Sequence, residues 1–119
     1  MQQEEVQQEE TYLKIIDIDT NKLIERIKIT KWKWHENSLF YNSYLHRWNS
    51  TNDNDVQQSI SVSEINCFLH IAYFFETGTF LNPKCLHASE LMMIMQMSAF
   101  LGADACLQDA FDRFMRLCS

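Results

Sequence analysis

From Ser63 onward the apolar positions recur at helical spacing three times in succession, and the chain's only two glycines, Gly78 and Gly102, interrupt the pattern. Spacings of three and four put side chains on one helix face. Ile65, Phe68, Leu69, Ala72, Tyr73 and Phe75 predict a first helix, with Ser63 as its N-cap and Glu64 in its first turn. Glycine takes the left-handed conformation that closes a helix at little cost, so Gly78 marks its end. Asn82-Pro83 opens a second helix that runs to Leu101, with Pro at the first helical position. Leu91, Met92, Met93, Ile94, Met95, Met97, Ala99 and Phe100 leave that helix almost no polar face, which puts it in the centre of a fold or under another chain. The third helix, Ala103 to Cys118, is amphipathic, its stripe made by Leu107, Phe111, Phe114 and Cys118.

The first half follows a different period. Leu13 and Ile15 fall on one side of an alternating run, with Tyr12, Ile16 and Ile18 on the other; Ile27 and Ile29 flank Lys28 in the next run. Asp19-Thr20-Asn21-Lys22 between them has turn chemistry, so the two runs form an antiparallel hairpin. Leu39, Phe40, Tyr44, Leu45 and Trp48 return to helical spacing and predict a helix from Asn37 to Trp48, capped by Asn37 or Ser38. The Trp32 and Trp34 segment ahead of it reads either as a strand end or as a short helical turn. Asn49 to Gln58 is a polar loop, Ser59 to Val62 a short third strand, and Thr79-Phe80-Leu81 another short strand. The expected fold class is α+β: a small antiparallel sheet, the N-terminal hairpin plus a third strand, packed with a helical cluster.

Composition narrows the class. At 119 residues, 46% hydrophobic, with two Gly and one Pro, the chain is one domain that can fill a core. Residues 1–11 form an acidic arm and 12–119 the domain; Met1 to Glu10 carries four acids, no base and a single internal apolar residue. The arm has no basic or apolar leader character, and the apolar runs within Leu91 to Leu101 are too short for a bilayer. With Cys67, Cys85, Cys106 and Cys118 read as reduced thiols, an intracellular location follows, cytoplasmic or nuclear. The net charge of −6 argues against nonspecific binding to nucleic acid or anionic membrane.

Phe68-Leu69-x-x-Ala72-Tyr73-Phe74-Phe75-Glu76-Thr77-Gly78-Thr79-Phe80 is similar to a stretch of the BTB/POZ family that ends in Tyr-Thr-Gly-x-hydrophobic. Glu90-Leu91-Met92-Met93 through Phe100-Leu101-Gly102 resembles the family's Glu-Leu-Leu helix that ends in Leu-Gly, and Ala103 to Met115 its partner helix. The resemblance implies an order of hairpin, helical segment, third strand, helix, then a two-helix hairpin, over nearly the whole chain after Thr11. It implies an interaction module that homodimerises and scaffolds or recruits another protein or peptide. A two-fold surface built by the arm and first helix would use Trp32, Trp34, Leu39, Phe40 and Tyr44. The alternative within the fold is a ubiquitin-ligase adaptor, partnered by a cullin or placed as a Skp1- or elongin C-like subunit. The hydrophobic-x-acidic motif of cullin-3 recruiters has only Trp48-Asn49-Ser50 and Val56-Gln57-Gln58 to represent it, neither acidic at the third place.

Residue chemistry gives no enzyme. The chain has no nucleophile elbow, Gly-rich phosphate loop, paired carboxylates beside a base, or His-rich metal spacing. Cys67-x-x-His70 and Cys85-x-His87 offer four zinc-type ligands, but they also fit a core and its margin, so no cofactor or metal is expected. Met92, Met93, Met95 and Met97 read as core filler rather than a partner patch. Lys31-Trp32-Lys33-Trp34-His35 interleaves bases and aromatics as single-strand binders do. Its shortness and the acidic remainder make it a lesser alternative to tryptophans packed on the hairpin or in an interface.

Overall fold

The computed structural model describes residues 10–48 and 55–118, without the side chains of 10, 44–48 and 55. The arm ahead of residue 10, the polar loop at 49–54 and the side chain of Tyr44 lie outside that description.

Strand β1 (Glu10–Asp17) pairs antiparallel with β2 (Leu23–Thr30), giving the expected hairpin from a start two residues earlier. Leu13 and Ile15 are fully buried, while Tyr12 faces outward with the Arg26 guanidinium 4.6 Å from its ring centre. The turn is held by Asp17, whose carboxylate accepts from the Asp19 N–H at 2.9 Å and the Thr20 hydroxyl at 3.1 Å. Asn21, at φ 61°, supplies the left-handed residue the turn needs. The pairing shifts between Ile15–Glu25 and Ile16–Leu23, leaving Ile24 of β2 as the extra residue of a bulge.

The segment left open between strand and helix is helix α1 (Lys31–Asn37), followed by α2 (Leu39–Trp48). Ser38 separates them in extended backbone and caps α2. Its buried hydroxyl accepts the Tyr41 N–H at 3.2 Å and donates to the Leu101 carbonyl at 2.6 Å. The chain then enters β3 (Asp55–Ile60), which begins earlier than the alternation suggested and takes the last residues of the expected loop. β3 lies parallel to β1, in the sheet order β2-β1-β3. The sheet is therefore mixed rather than wholly antiparallel, because the α1–α2 crossover returns the chain to the same end of the sheet.

A 3₁₀ turn at Val62–Glu64 leads into α3 (Ile65–Thr77), which ends at Gly78 with φ 89°. Thr79 to Leu81 is not a strand. Phe80 is buried against Phe74, their ring centres 4.9 Å apart, and the segment's role is to deliver that plug. Asn82 at φ 47° and a 3₁₀ turn at Pro83–Cys85 take the place of the expected helix start. Leu86 and His87 are extended, and Leu86 is buried, so the helix begins only at Ala88. That helix, α4 (Ala88–Leu101), opens with the Glu90 carboxylate accepting the His87 N–H at 2.9 Å.

Helix α5 (Asp104–Cys118) packs along α4. Its buried residues are Cys106 and Ala110, in line with Ala103 just ahead of the helix, and Phe114 is half-buried; the expected Phe111 and Cys118 are exposed. Small residues win the contact because they let two helices approach closely. Ser98 and Cys106 meet there at 3.2 Å. One core joins the sheet, α1 to α4 and this stripe. No helix among the described residues is long and apolar enough to cross a membrane.

Candidate protein-interaction surface

The two tryptophans of α1 part company. Residues two apart on a helix are separated by about 200° around its axis, so they cannot share a face. Trp34 points inward and is fully buried. It meets Tyr41 and Phe75 edge-on at ring-centre distances of 4.9 Å each, and Phe68 at 6.1 Å. Trp32 remains 40% exposed, with the Lys33 ammonium 5.8 Å from its ring centre. Trp34 thus belongs to the core and lends no area to a surface, whereas the resemblance implied both rings in one interface. The same burial removes Trp34 from any base-stacking groove. Lys33 is also turned inward, its Nζ donating to the Glu76 carbonyl at 2.9 Å.

Glu76 organises this corner. Its carboxylate accepts the Thr30 N–H at 2.8 Å, the Thr30 hydroxyl at 2.9 Å and the Trp34 indole N–H at 2.9 Å. One side chain near the end of α3 therefore fixes the passage from β2 into α1. A lone Glu before Thr-Gly gives no pattern from which that role could be read.

Of the other expected surface residues, Leu39 and Phe40 lie together, with one addition, and the Tyr44 side chain is outside the described residues. Leu39, at the start of α2, is 69% exposed. Phe40 is half-buried, its ring centre 5.1 Å from that of Tyr41 and 5.9 Å from that of Phe100. Phe100 is 73% exposed, the barest large apolar side chain described. The backbones explain the meeting: the Leu39 N–H donates to the Gly102 carbonyl at 3.3 Å, so α2 begins where α4 ends. Gly102, at φ 66°, permits it, because a Cβ there would stand 2.8 Å from the Leu39 Cβ. Phe100 was legible only as part of an all-round apolar helix; nothing local distinguishes it from the buried Leu101.

No family model matches this chain, and no curated protein does either.

Among the described residues no three His, Cys, Asp or Glu side chains converge as metal ligands would. Cys67 is buried with its thiol directed at the Glu90 carbonyl, while Cys85 is exposed. Burial, reinforced by the nearby charges of Glu90 and Glu64, raises the Cys67 thiol above its ordinary value. The Cys106 thiol is pushed up to about 12, chiefly by burial, against which the Ser98 hydroxyl bond works in the lowering direction. Both thiols stay protonated near neutral pH and act as small apolar groups. Of the methionines, Met93, Met95 and Met97 pack at the core margin and Met92 is half exposed.

Proposed function

We propose that this chain is a BTB/POZ-like interaction module that self-associates and docks another protein. The observation that carries the reading is the apolar cluster of Leu39, Phe40 and Phe100, left open to water where α2 meets the end of α4. Large apolar side chains gathered on a small domain are what association covers, and aromatic anchors dominate such contacts. Three further features support it. The element order runs hairpin, two short helices, third strand, helix ending at Thr77-Gly78, then a helical hairpin, as the resemblance implies. Trp32 adds a second exposed aromatic on α1. The polar groups of α1 that face Glu76 are committed to holding the fold.

Sedimentation velocity at micromolar concentration tests the self-association. The expected species is a dimer, driven toward monomer by Leu39→Glu or Phe100→Glu and weakened by Trp32→Ala. A wild-type monomer at that concentration would overturn the self-association. A dimer indifferent to all three substitutions would place its surface elsewhere.

A further inference from the structure

In the sheet order β2-β1-β3, the outer edge of the third strand is unpaired among the described residues. One hydrogen bond fixes which of its backbone groups lie there. The Ile18 N–H donates to the Ile60 carbonyl at 3.0 Å, and Ile60 sits opposite Asp17 in the parallel register. Successive residues of a strand turn their amide groups to opposite edges. Val56, Gln58 and Ile60 therefore face β1, while Gln57 and Ser59 turn their N–H and C=O outward. Both of these residues are exposed. On that edge the Ser59 carbonyl accepts only a long 3.4 Å bond from the neighbouring Gln58 side chain, among the described residues.

A groove of about 230 Å³ runs beside this edge, between β3 and the C-terminal half of α4. Ile60 and Phe68 form one wall; Met97, Phe100 and Leu101 form the other. Among the described residues, Glu64 is the only ionisable side chain lining it. The chain on either side is equally one-signed: residues 55–69 and 88–101 contain Asp55, Glu64 and Glu90 but no Lys or Arg. A free strand edge beside a helix-walled apolar groove is the arrangement in which an extended peptide adds as a strand. Main-chain bonds then supply affinity, and alternate side chains fill pockets.

We propose that the outer edge of β3 receives an extended peptide of a partner protein, alternating basic and apolar residues, as a fourth strand of the sheet. Its main chain pairs with Gln57 and Ser59. Its apolar side chains, two residues apart, drop toward Ile60, Met97 and Phe100. Its Lys or Arg residues, on the opposite face of the strand, lie over the acidic surroundings, and Glu64 adds to that negative field. This deepens the reading of the chain as a docking module, on which it rests, but it does not depend on self-association.

The test uses a fluorescein-labelled peptide, Lys-Val-Lys-Phe-Lys-Val, and its counterpart with Glu in place of Lys. Fluorescence anisotropy measures binding, and amide hydrogen exchange locates it. The basic probe should bind and slow exchange at Gln57 and Ser59, and the acidic probe should not. Ser59→Pro removes an outward N–H while leaving the ladder to β1 intact, and should weaken the basic probe about tenfold or more. Glu64→Lys should weaken it as well, more so at low salt, and covers the case in which circular dichroism shows Ser59→Pro misfolded. The proposal is overturned by no binding up to roughly 1 mM, by binding equal in wild type and both variants, or by protection away from β3. If Ser59→Pro instead converts a dimer to a monomer, the edge belongs to a second copy; the peptide is then refuted and self-association stands. A wild-type monomer that still binds the probe at β3 upholds the peptide and refutes self-association.

Discussion

Removing the Glu76 carboxylate should cost this domain more than any other single polar change. The substitution to make is Glu76→Ala, with Glu76→Gln beside it. In the native protein the carboxylate accepts three hydrogen bonds, from the Thr30 N–H, the Thr30 hydroxyl and the Trp34 indole N–H, at 2.8, 2.9 and 2.9 Å. Thr30 is half-buried and exchanges partners with water at modest cost, but Trp34 is fully enclosed. Its N–H therefore becomes an orphan donor. A bond to a charged group contributes about 1.5–3 kcal/mol and an orphaned buried donor costs about 1–3 kcal/mol, and the two overlap, so ~3 kcal/mol is expected for Glu76→Ala. Glutamine keeps one acceptor oxygen and should lose about 1 kcal/mol. Against a typical total of about 5–15 kcal/mol, the alanine variant remains folded but its urea midpoint falls sharply. Equilibrium urea unfolding followed by Trp fluorescence reads the midpoint, and an unchanged slope shows that the native state is intact. A loss below about 0.5 kcal/mol for Glu76→Ala, within the range of ordinary surface changes, would refute the idea that this carboxylate holds α1 against the sheet.

Two further outcomes follow from the backbone and the thiols. Gly102→Ala should destabilise by about 2 kcal/mol or more, the left-handed strain of about 1–2 kcal/mol plus the clash with Leu39. Gly78→Ala meets nothing within 4 Å and should cost only the strain; thermal melts giving equal losses would show that the Leu39 contact is soft. For Cys106, the folded protein holds its thiol proton to about 12 against an ordinary value of 9.0. The folded state thus binds that proton more tightly than the unfolded chain, so its contribution to stability is whole below pH 9 and is lost as pH rises toward 12. Cys106→Ala should flatten that part of the stability curve, and iodoacetamide at pH 8 should label Cys85 and Cys118 long before Cys106. Mass spectrometry showing Cys106 labelled at the rate of Cys85 would contradict its burial.

The period of the apolar residues made the hairpin and the last three helices legible, since Leu13, Ile15 and Ile29 alternate and Leu91, Ile94, Ser98 and Leu101 share one helix stripe. Gly78 and Gly102 marked the helix ends because a left-handed residue must stand where the next segment turns. What stayed hidden depends on partners far along the chain. Trp34 is interior and Trp32 is not because Phe68, Phe75 and Glu76 wait on one side of α1, and no local pattern carries that. The parallel direction of β3 depends on how α1 and α2 cross over. The helix expected from Pro83 is cut at Leu86 because burying that side chain demands extended backbone, a tertiary demand that overrides local propensity.

The same reasoning separates the two surfaces. Of the stripe predicted on α5, Phe114 packs against the core and Leu107 is half-buried, while Phe111 and Cys118 are exposed; the fully buried places go to the small Cys106 and Ala110, with Ala103 just ahead of the helix. Phe111 and Met115 are left at the surface, as Leu39 and Phe100 are. Scattered exposed apolar residues are ordinary. The region where α2 meets the end of α4 differs because Leu39, Phe40 and Phe100 converge there, and Phe100 also walls the groove beside β3. One phenylalanine thus borders both a surface suited to self-association and a strand edge suited to a peptide. If both proposals hold, occupying either one changes the surroundings of the other, and self-association is then coupled to peptide binding.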